Sequence, residues 1–141
     1  MVSGTHGVEG FCGSGCQVAL LADGFVEARP SGCAVVLLHA LNPYGFAWLR
    51  RVNEDGVDLN RNFQDFSQPL PDSSAFEELH DPLVPREWDG LVRAEADRSL
   101  AEYAAKRDMR AYQAAVSTGQ YTRPTGLFCG GASARGPRGT C

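Results

Sequence analysis

Residues 34–41, AVVLLHAL, form an apolar run that constrains the fold more than any other stretch of the sequence. The run contains β-branched residues and is nearly continuous, whereas a strand with one solvated face alternates apolar and polar residues. A strand covered on both faces of an α/β sheet has this pattern. The sequence therefore predicts an α/β protein with a buried strand here, followed by a turn at the sequence NPYG.

Helical patterns lie on both sides of this run. Residues 7–21 are rich in small residues and end in QVALL, which predicts a buried helix that ends at Gly24. Residues 88–116 carry apolar side chains at helical spacings among Glu, Arg and Lys, which predicts two amphipathic helices or one bent helix. Between them, the 4 prolines of residues 64–86 predict an irregular connection with one helical turn at residues 74–79.

Charge and hydropathy exclude several classes of protein. The 141 residues carry a net charge of -4, and the 13 Lys and Arg residues are spread along the chain, so we expect no nucleic-acid partner. No stretch approaches the ~18 apolar residues of a membrane span, and the first ten residues lack the pattern of a secretory signal. We therefore expect a cytoplasmic protein that does not contact a membrane.

The last residues differ in composition from the rest of the chain. From Gly130 onward the sequence GGASARGPRGTC has no hydrophobic period and no aromatic residue. Such a segment buries too little apolar surface to offset the entropy of ordering it. We predict one domain over residues 1–131 and a disordered or frame-shifted tail over residues 132–141.

The five cysteines are too few and too scattered for a disulfide scaffold. We expect them to be reduced. Cys12 and Cys16 have a spacing found in zinc fingers, but no second ligand pair follows them, so a structural zinc site is not expected.

The glycine-rich sequence SGTHGVEG places His6 and Glu9 three positions apart. This spacing brings both side chains to one side of a helical turn, and an imidazole with a carboxylate can ligate catalytic zinc. An HxxE pair is weak by itself, because an exposed polar turn or a helix cap has the same pattern.

The sequence GVDLNRNF follows a predicted extended segment at residues 57–59 and places Asn60 beside Arg61. An amide and a guanidinium together suit the binding of a carboxylate from two directions. In the alternative interpretation, Arg61 pairs with Asp58 or Asp65 and Asn60 caps a turn.

Two arginines, Arg50 and Arg51, lie shortly before this sequence. Either guanidinium could stabilise negative charge that develops on an attacked carbonyl oxygen. The alternative is that both are solvent-facing arginines that follow Trp48.

In this order, GTHGVEG, HALNPYGF, LRRVN and VDLNRNF resemble the zinc metallocarboxypeptidase superfamily of the carboxypeptidase A type, a peptidase family M14-like group. The resemblance is closest to a bacterial branch described as a domain of unknown function, DUF2817, and with GQYTRPTGLFCGG it covers residues 3–131. It implies a three-layer α/β/α fold around a mixed sheet. It also implies a zinc-dependent hydrolase that cleaves peptide or amide bonds next to a terminal carboxylate, with peptides or acyl-amino acids as substrates.

The resemblance assigns roles residue by residue. His6 and Glu9 match the first two zinc ligands, and Asn60 and Arg61 match the pair that binds the substrate carboxylate. Arg51, from its RxN context, matches the arginine that polarises the scissile carbonyl, with Arg50 as the second choice.

Two catalytic residues of the superfamily have no match here, namely the third zinc ligand, a histidine, and the later general-base glutamate. His80 lies in a proline-rich context and is interpreted as a loop residue, and His39 as a core histidine. The resemblance thus implies an incomplete zinc site in a chain that is truncated at both ends and inactive alone. The alternative is a non-catalytic remnant or interaction module, which self-associates through an exposed sheet edge.

Overall fold

The computed structural model describes residues 1–134, and these residues form seven helices in two compact units. The first unit is Met1–Asn60 and the second is Arg61–Ala134. The helices are α1 (Gly10–Ala22), α2 (Pro43–Trp48), α3 (Leu59–Asn62), α4 (Ser74–Glu77), α5 (His80–Leu83), α6 (Gly90–Arg107) and α7 (Met109–Ser117). None of the helices in the described part is long and apolar enough to cross a membrane.

The predicted α/β/α fold with a mixed sheet is wrong. Within residues 1–134 the β pairing consists of two isolated parallel bridges, Val2 with Leu38 and Gln120 with Cys129. Among the described residues, the backbone of the apolar run 34–41 pairs with residues 1–3, and its side chains Val36 and Leu38 remain 64% and 47% exposed. A continuous apolar run indicates a strand buried on both faces only where neighbouring strands and helices cover it, and within residues 1–134 this run has one short partner.

Helix α1 confirms a helix within residues 7–21, with a start at Gly10 and an end at Ala22. The prediction that this helix is buried is wrong, because Phe11, Val18 and Leu21 are 52–63% exposed. Its inner face packs closely because a Cβ on Gly13 would lie 2.9 Å from the Cβ of Ser3. Gln17 is buried on the same face, where its amide donates to the carbonyl of Leu38 at 3.0 Å and its Oε1 accepts from Ser3 Oγ at 3.2 Å. Polar side chains therefore join α1 to the apolar run.

The turn predicted at NPYG is the start of helix α2. Asn42 caps the helix, since its side chain accepts from the Gly45 N–H at 2.8 Å, and Pro43 occupies the first helical position. The helix ends at Leu49, which has a left-handed backbone with φ 54. The predicted extended segment at residues 57–59 is wrong at its end, because α3 begins at Leu59.

The second unit packs short helices on long ones. Phe76 of α4 and Leu79 are 2% exposed, and Ala96 of α6 is 7% exposed, so these side chains form its apolar centre. The predicted helical turn at residues 74–79 is present as α4, and α5 follows it without having been predicted. The pattern at residues 88–116 forms two helices, α6 and α7, which separate at Asp108, so the alternative of one bent helix is wrong. The predicted apolar face is not buried at the start of α6, where Leu91 is 89% exposed.

The backbone of the loop after α7 is hydrogen-bonded to the buried side chain of Gln120. Its Nε2 donates to the carbonyl of Arg123 at 2.7 Å, and its Oε1 accepts from the N–H groups of Thr122 and Arg123. The predicted disordered tail falls mostly on residues 135–141, which lie outside the described residues.

Candidate functional site

The loop that carries His6 fits closely against the end of α2. The Gly7 N–H donates to the carbonyl of Arg50 at 3.0 Å. A Cβ on Gly7 would lie 1.7 Å from the Gly45 carbonyl oxygen, so only glycine permits this approach. The glycines of the HxxE motif therefore bring His6 to the segment that follows α2.

His6 lies between two carboxylates. Its Nδ1 is 3.0 Å from Glu9 Oε2, and its Nε2 is 3.1 Å from Asp58 Oδ1. The His6 side chain is 11% exposed, Asp58 is fully buried and Glu9 is 71% exposed. The imidazole thus has a buried acceptor on one nitrogen and a solvent-facing carboxylate beside the other.

Asp58 is the centre of this cluster. Its carboxylate accepts from the Nε of Arg51 at 2.9 Å and from the backbone N–H of Asn60 at 3.0 Å, in addition to its contact with His6. Burial raises the pKa of the Asp58 carboxyl, but hydrogen bonds and positive charge from His6 and Arg51 outweigh this effect and lower the pKa below its usual value. Asp58 is therefore a stable anion that orients its neighbours.

A tight turn positions Asp58. The side chain of Asn53 accepts from the N–H groups of Asp55 and Val57, at 3.1 and 2.9 Å. Gly56, with φ 75, donates to the Asn53 carbonyl at 3.0 Å. The sequence NEDGV folds into this turn because an Asn side chain replaces missing backbone partners and Gly adopts the left-handed conformation.

Arg51 lies beside the two predicted metal ligands. Besides its bond to Asp58, its Nη1 is 3.8 Å from Glu9 Oε1, and its side chain is 38% exposed. The structure thus brings together His6, Glu9 and Arg51, three of the five residues that sequence analysis selected. Arg50 is exposed and contacts the loop through its backbone carbonyl, which favours Arg51 over Arg50 for a role in this cluster.

Asn60 and Arg61 have different surroundings. Asn60 is exposed and is tied to Asp58 through its backbone. Arg61 is the first residue of the second unit. Its Nη2 donates to the carbonyl of Ser117 at 2.7 Å, and its side chain packs against Gly119. The alternative in which Arg61 pairs with Asp58 is wrong, because the Asp58 carboxylate contacts Arg51 and His6 in the structure.

The donor set fits a metal ion only in part. His6 Nδ1 and Glu9 Oε2 converge, but residues 1–134 contain no group of three His, Cys, Asp or Glu side chains arranged to hold a metal. His39 contacts Ser3 Oγ at 3.4 Å and packs edge-on against Phe46, but the residue is exposed, so its interpretation as a core histidine is wrong. Two protein donors are therefore available where a catalytic zinc site has three.

The remaining candidate ligands belong to other surroundings. His80 begins α5 in the second unit, and its Nδ1 is buried without a hydrogen-bond partner among the described residues. Cys12, Cys16 and Cys33 are free and exposed, and Cys129 is free and buried. These four described cysteines agree with the expectation of reduced thiols.

The role of Asp58 in this cluster was not predicted from the sequence, where the residue was considered only as a partner for Arg61. The sequence nevertheless contains a signal for it. An acidic residue between Val57 and Leu59, both apolar and both buried in the structure, has to find a cationic partner. Arg51 lies seven positions earlier and is that partner.

Comparisons with known proteins give one match. A family model described as "Protein of unknown function (DUF2817)" matches residues 1–138. No curated protein matches the chain, and no solved structure does.

Proposed function

The chain belongs to the DUF2817 family, and we propose that it binds zinc through His6 and Glu9 as part of a metallocarboxypeptidase-like hydrolase. The proposed substrates are peptides or acyl-amino acids with a terminal carboxylate. His6 and Glu9 alone leave the site incomplete, so we propose that the chain by itself is inactive or nearly so.

One observation carries the proposal, namely the contact of the buried Asp58 carboxylate with Nε2 of His6. When a metal binds at Nδ1, which faces Glu9, the Asp58 carboxylate would accept a hydrogen bond from the Nε2–H of the neutral imidazole. Histidines that ligate zinc commonly donate their other N–H to a carboxylate, which fixes the tautomer and makes the ligand more basic. A polar turn or a helix cap needs no such buried carboxylate.

The other residues take roles that follow from their charge. Bound zinc would supply Lewis acidity toward a substrate carbonyl. Arg51, anchored by Asp58 and still partly exposed, would stabilise negative charge on the carbonyl oxygen. Asn60 and Arg61 would bind the terminal carboxylate of the substrate, Arg61 through guanidinium donors that its bond to Ser117 leaves available.

Zinc titration by calorimetry at pH 7.5 tests the metal site. We expect one zinc per chain, with binding lost in His6→Ala and Glu9→Gln. Asp58→Asn replaces the carboxylate that contacts the Nε2 of His6 and is expected to weaken zinc binding about 10–100-fold. Glu27→Gln is the matched control, because Glu27 is an exposed carboxylate of the same unit outside the cluster.

Two outcomes would contradict the metal site. One is equal zinc binding by wild type and His6→Ala. The other is a loss of zinc affinity in Glu27→Gln as large as that in Glu9→Gln, which would indicate that zinc binds non-specifically to surface carboxylates.

Hydrolysis of N-acyl-amino acids in the presence of zinc tests the catalytic part. A positioned general acid or base contributes about 10²–10⁴-fold to rate. Without a general-base glutamate, we expect release of the amino acid at or near background. Robust zinc-dependent hydrolysis that disappears in His6→Ala would show that the site is complete and that the proposed inactivity is wrong.

An interaction module is the second candidate function. It is favoured by the apolar side chains of Val35, Val36 and Leu38, which are 36–64% exposed on the segment that pairs with residues 1–3. Exposed apolar surface of this kind supports self-association. Light scattering should then detect dimers or larger species in wild type and monomers in Val36→Glu, whereas monomers in both would exclude this candidate.

A further inference from the structure

Helix α1 presents two free thiols on one face. Cys12 and Cys16 are both exposed, and they lie four positions apart in the helix Gly10–Ala22. Side chains at this spacing are neighbours on a helix surface, with Cβ atoms about 5–6 Å apart. The two thiols are therefore close enough to act on one ligand.

The packing of α1 directs this face away from the rest of the first unit. Gly13 and Gln17 form the inner face, with Gly13 against Ser3 and Gln17 hydrogen-bonded to Ser3 and Leu38. Because these contacts fix the rotation of the helix, Cys12 and Cys16 cannot turn inward.

The spacing favours a bridging ion over a disulfide. A disulfide requires Cβ atoms about 3.5–4.5 Å apart, so a bond between these two cysteines would distort the helix. An ion bound between two sulfur atoms spans a larger gap without that distortion. The part of the chain that the structure describes offers no third His, Cys, Asp or Glu to complete a larger ligand set, which disfavours an ion that needs three or four protein ligands.

We propose that Cys12 and Cys16 form a two-thiolate site for a soft monovalent ion, Cu(I). Thiolates favour Cu(I), zinc and iron–sulfur clusters, and of these Cu(I) is the ion that accepts two sulfur ligands in a linear arrangement. Both thiols lose their protons on binding, so one Cu(I) and two thiols give one bis-thiolate complex and two protons. This site shares no ligand with the zinc site proposed at His6 and Glu9.

Anaerobic titration of the reduced full chain with Cu(I), in competition with a chromophoric Cu(I) chelator, tests the proposal. All variants carry Cys141→Ser, so that the C-terminal thiol does not compete. We expect one tightly held Cu(I) per chain and a thiolate-to-copper absorption band in the ultraviolet. Cys12→Ser and Cys16→Ser should each lower the affinity about 10³-fold, the ratio between the millimolar effective concentration of a tethered ligand and micromolar protein.

Two control variants make the test specific. Cys33→Ser removes an exposed thiol outside the pair and should leave binding unchanged. Cys16→Ser combined with Val18→Cys keeps two thiols on α1 but puts the second on another face, since Val18 is 63% exposed and six positions from Cys12. This relocated pair should bind as weakly as the single Cys16→Ser variant.

Circular dichroism of each variant checks that helix content is retained. Unchanged Cu(I) affinity in Cys12→Ser would overturn the proposal. Equal affinity for the native and relocated pairs would also overturn it, because binding would then not depend on the shared face of α1.

Discussion

The two units of the chain bury different kinds of side chain. Within residues 1–60 of the first unit the buried polar side chains outnumber the buried apolar ones, with Ser3, Gln17, Asn42, Asn53 and Asp58 against Val57 and Leu59. In the second unit the largest buried side chains are Phe76 and Leu79, packed among α4–α7. The first unit therefore depends on hydrogen bonds from side chains to loops, and the second more on apolar contact between helices.

This difference matters for the site. A hydrogen bond to a buried side chain fixes direction as well as distance, and a buried polar group that loses its partner costs about 1–3 kcal/mol. Asn42 and Asn53 fix the backbone on either side of Arg51, and Asp58 fixes the guanidinium and the imidazole. The unit with the smaller apolar core is thus the one in which the candidate site is most closely specified.

The largest loss of stability is expected from a substitution in the apolar core of the second unit. Phe76→Ala removes a ring that is 2% exposed and should lower the free energy of unfolding by about 4 kcal/mol. The matched control is Phe63→Ala in the same unit, which should have little effect because that ring is 95% exposed. Urea denaturation measures both, and similar losses in the two variants would remove the distinction between the units.

The next effect tests the polar core of the first unit. Asp58→Ala leaves Arg51 and His6 without their buried partner and should cost about 3 kcal/mol, the lower end of the range for a broken buried ion pair, because Arg51 is partly exposed. Asp97→Ala breaks an ion pair with Arg93 on the surface of α6 and should cost under about 0.5 kcal/mol. A loss in Asp58→Ala no greater than that in Asp97→Ala would contradict a structural role for the buried carboxylate.

The same contrast explains what could be predicted from the sequence. The helical spacing of apolar residues at 88–116 depends only on nearby positions in the sequence, so a helical structure, present as α6 and α7, could be predicted there. The run 34–41 was misassigned to a sheet because its burial depends on which segments cover it, and local sequence does not contain that information.

The residues of the candidate site also differ in whether their neighbours could be predicted from the sequence. The three-residue spacing indicated that His6 and Glu9 lie side by side, as they do in the structure, whereas Arg51, which lies 3.8 Å from Glu9, was selected from the family resemblance. Asp58 was not assigned to the cluster, because its contact with His6 joins residues 52 positions apart. The surroundings of Arg61 likewise depend on Ser117, 56 positions away.

Two glycines of the first unit should respond with opposite signs. Gly7→Ala places a methyl group against the Gly45 carbonyl oxygen, and relief of this overlap should cost about 2 kcal/mol and displace His6 from Asp58. Gly15→Ala lies in α1 with no atom near its new Cβ and should stabilise the chain by about 0.5–1 kcal/mol. Thermal unfolding measures both changes, and a stabilised Gly7→Ala variant would contradict the close approach of the loop to α2.

The smallest change in stability is expected from the ion pair of Glu77 with Arg123 in the second unit. Hydrogen bonds from Arg123 and then Thr122 lower the pKa of Glu77 below its usual value. A carboxyl whose pKa is lower in the folded than in the unfolded chain stabilises the fold above its unfolded pKa of about 4.3 and loses that contribution as the pH falls through its folded value. Glu77→Gln should therefore lower the melting temperature slightly at pH 6, and the difference from wild type should shrink toward zero as the pH falls below about 4. Glu77 is solvent-accessible, so salt screens its ion pair with Arg123. Added salt should therefore also reduce the difference in melting temperature between Glu77→Gln and wild type at pH 6. A difference that depends on neither pH nor salt would mean that Glu77 contributes through packing, as the apolar residues of its unit do, and not through charge.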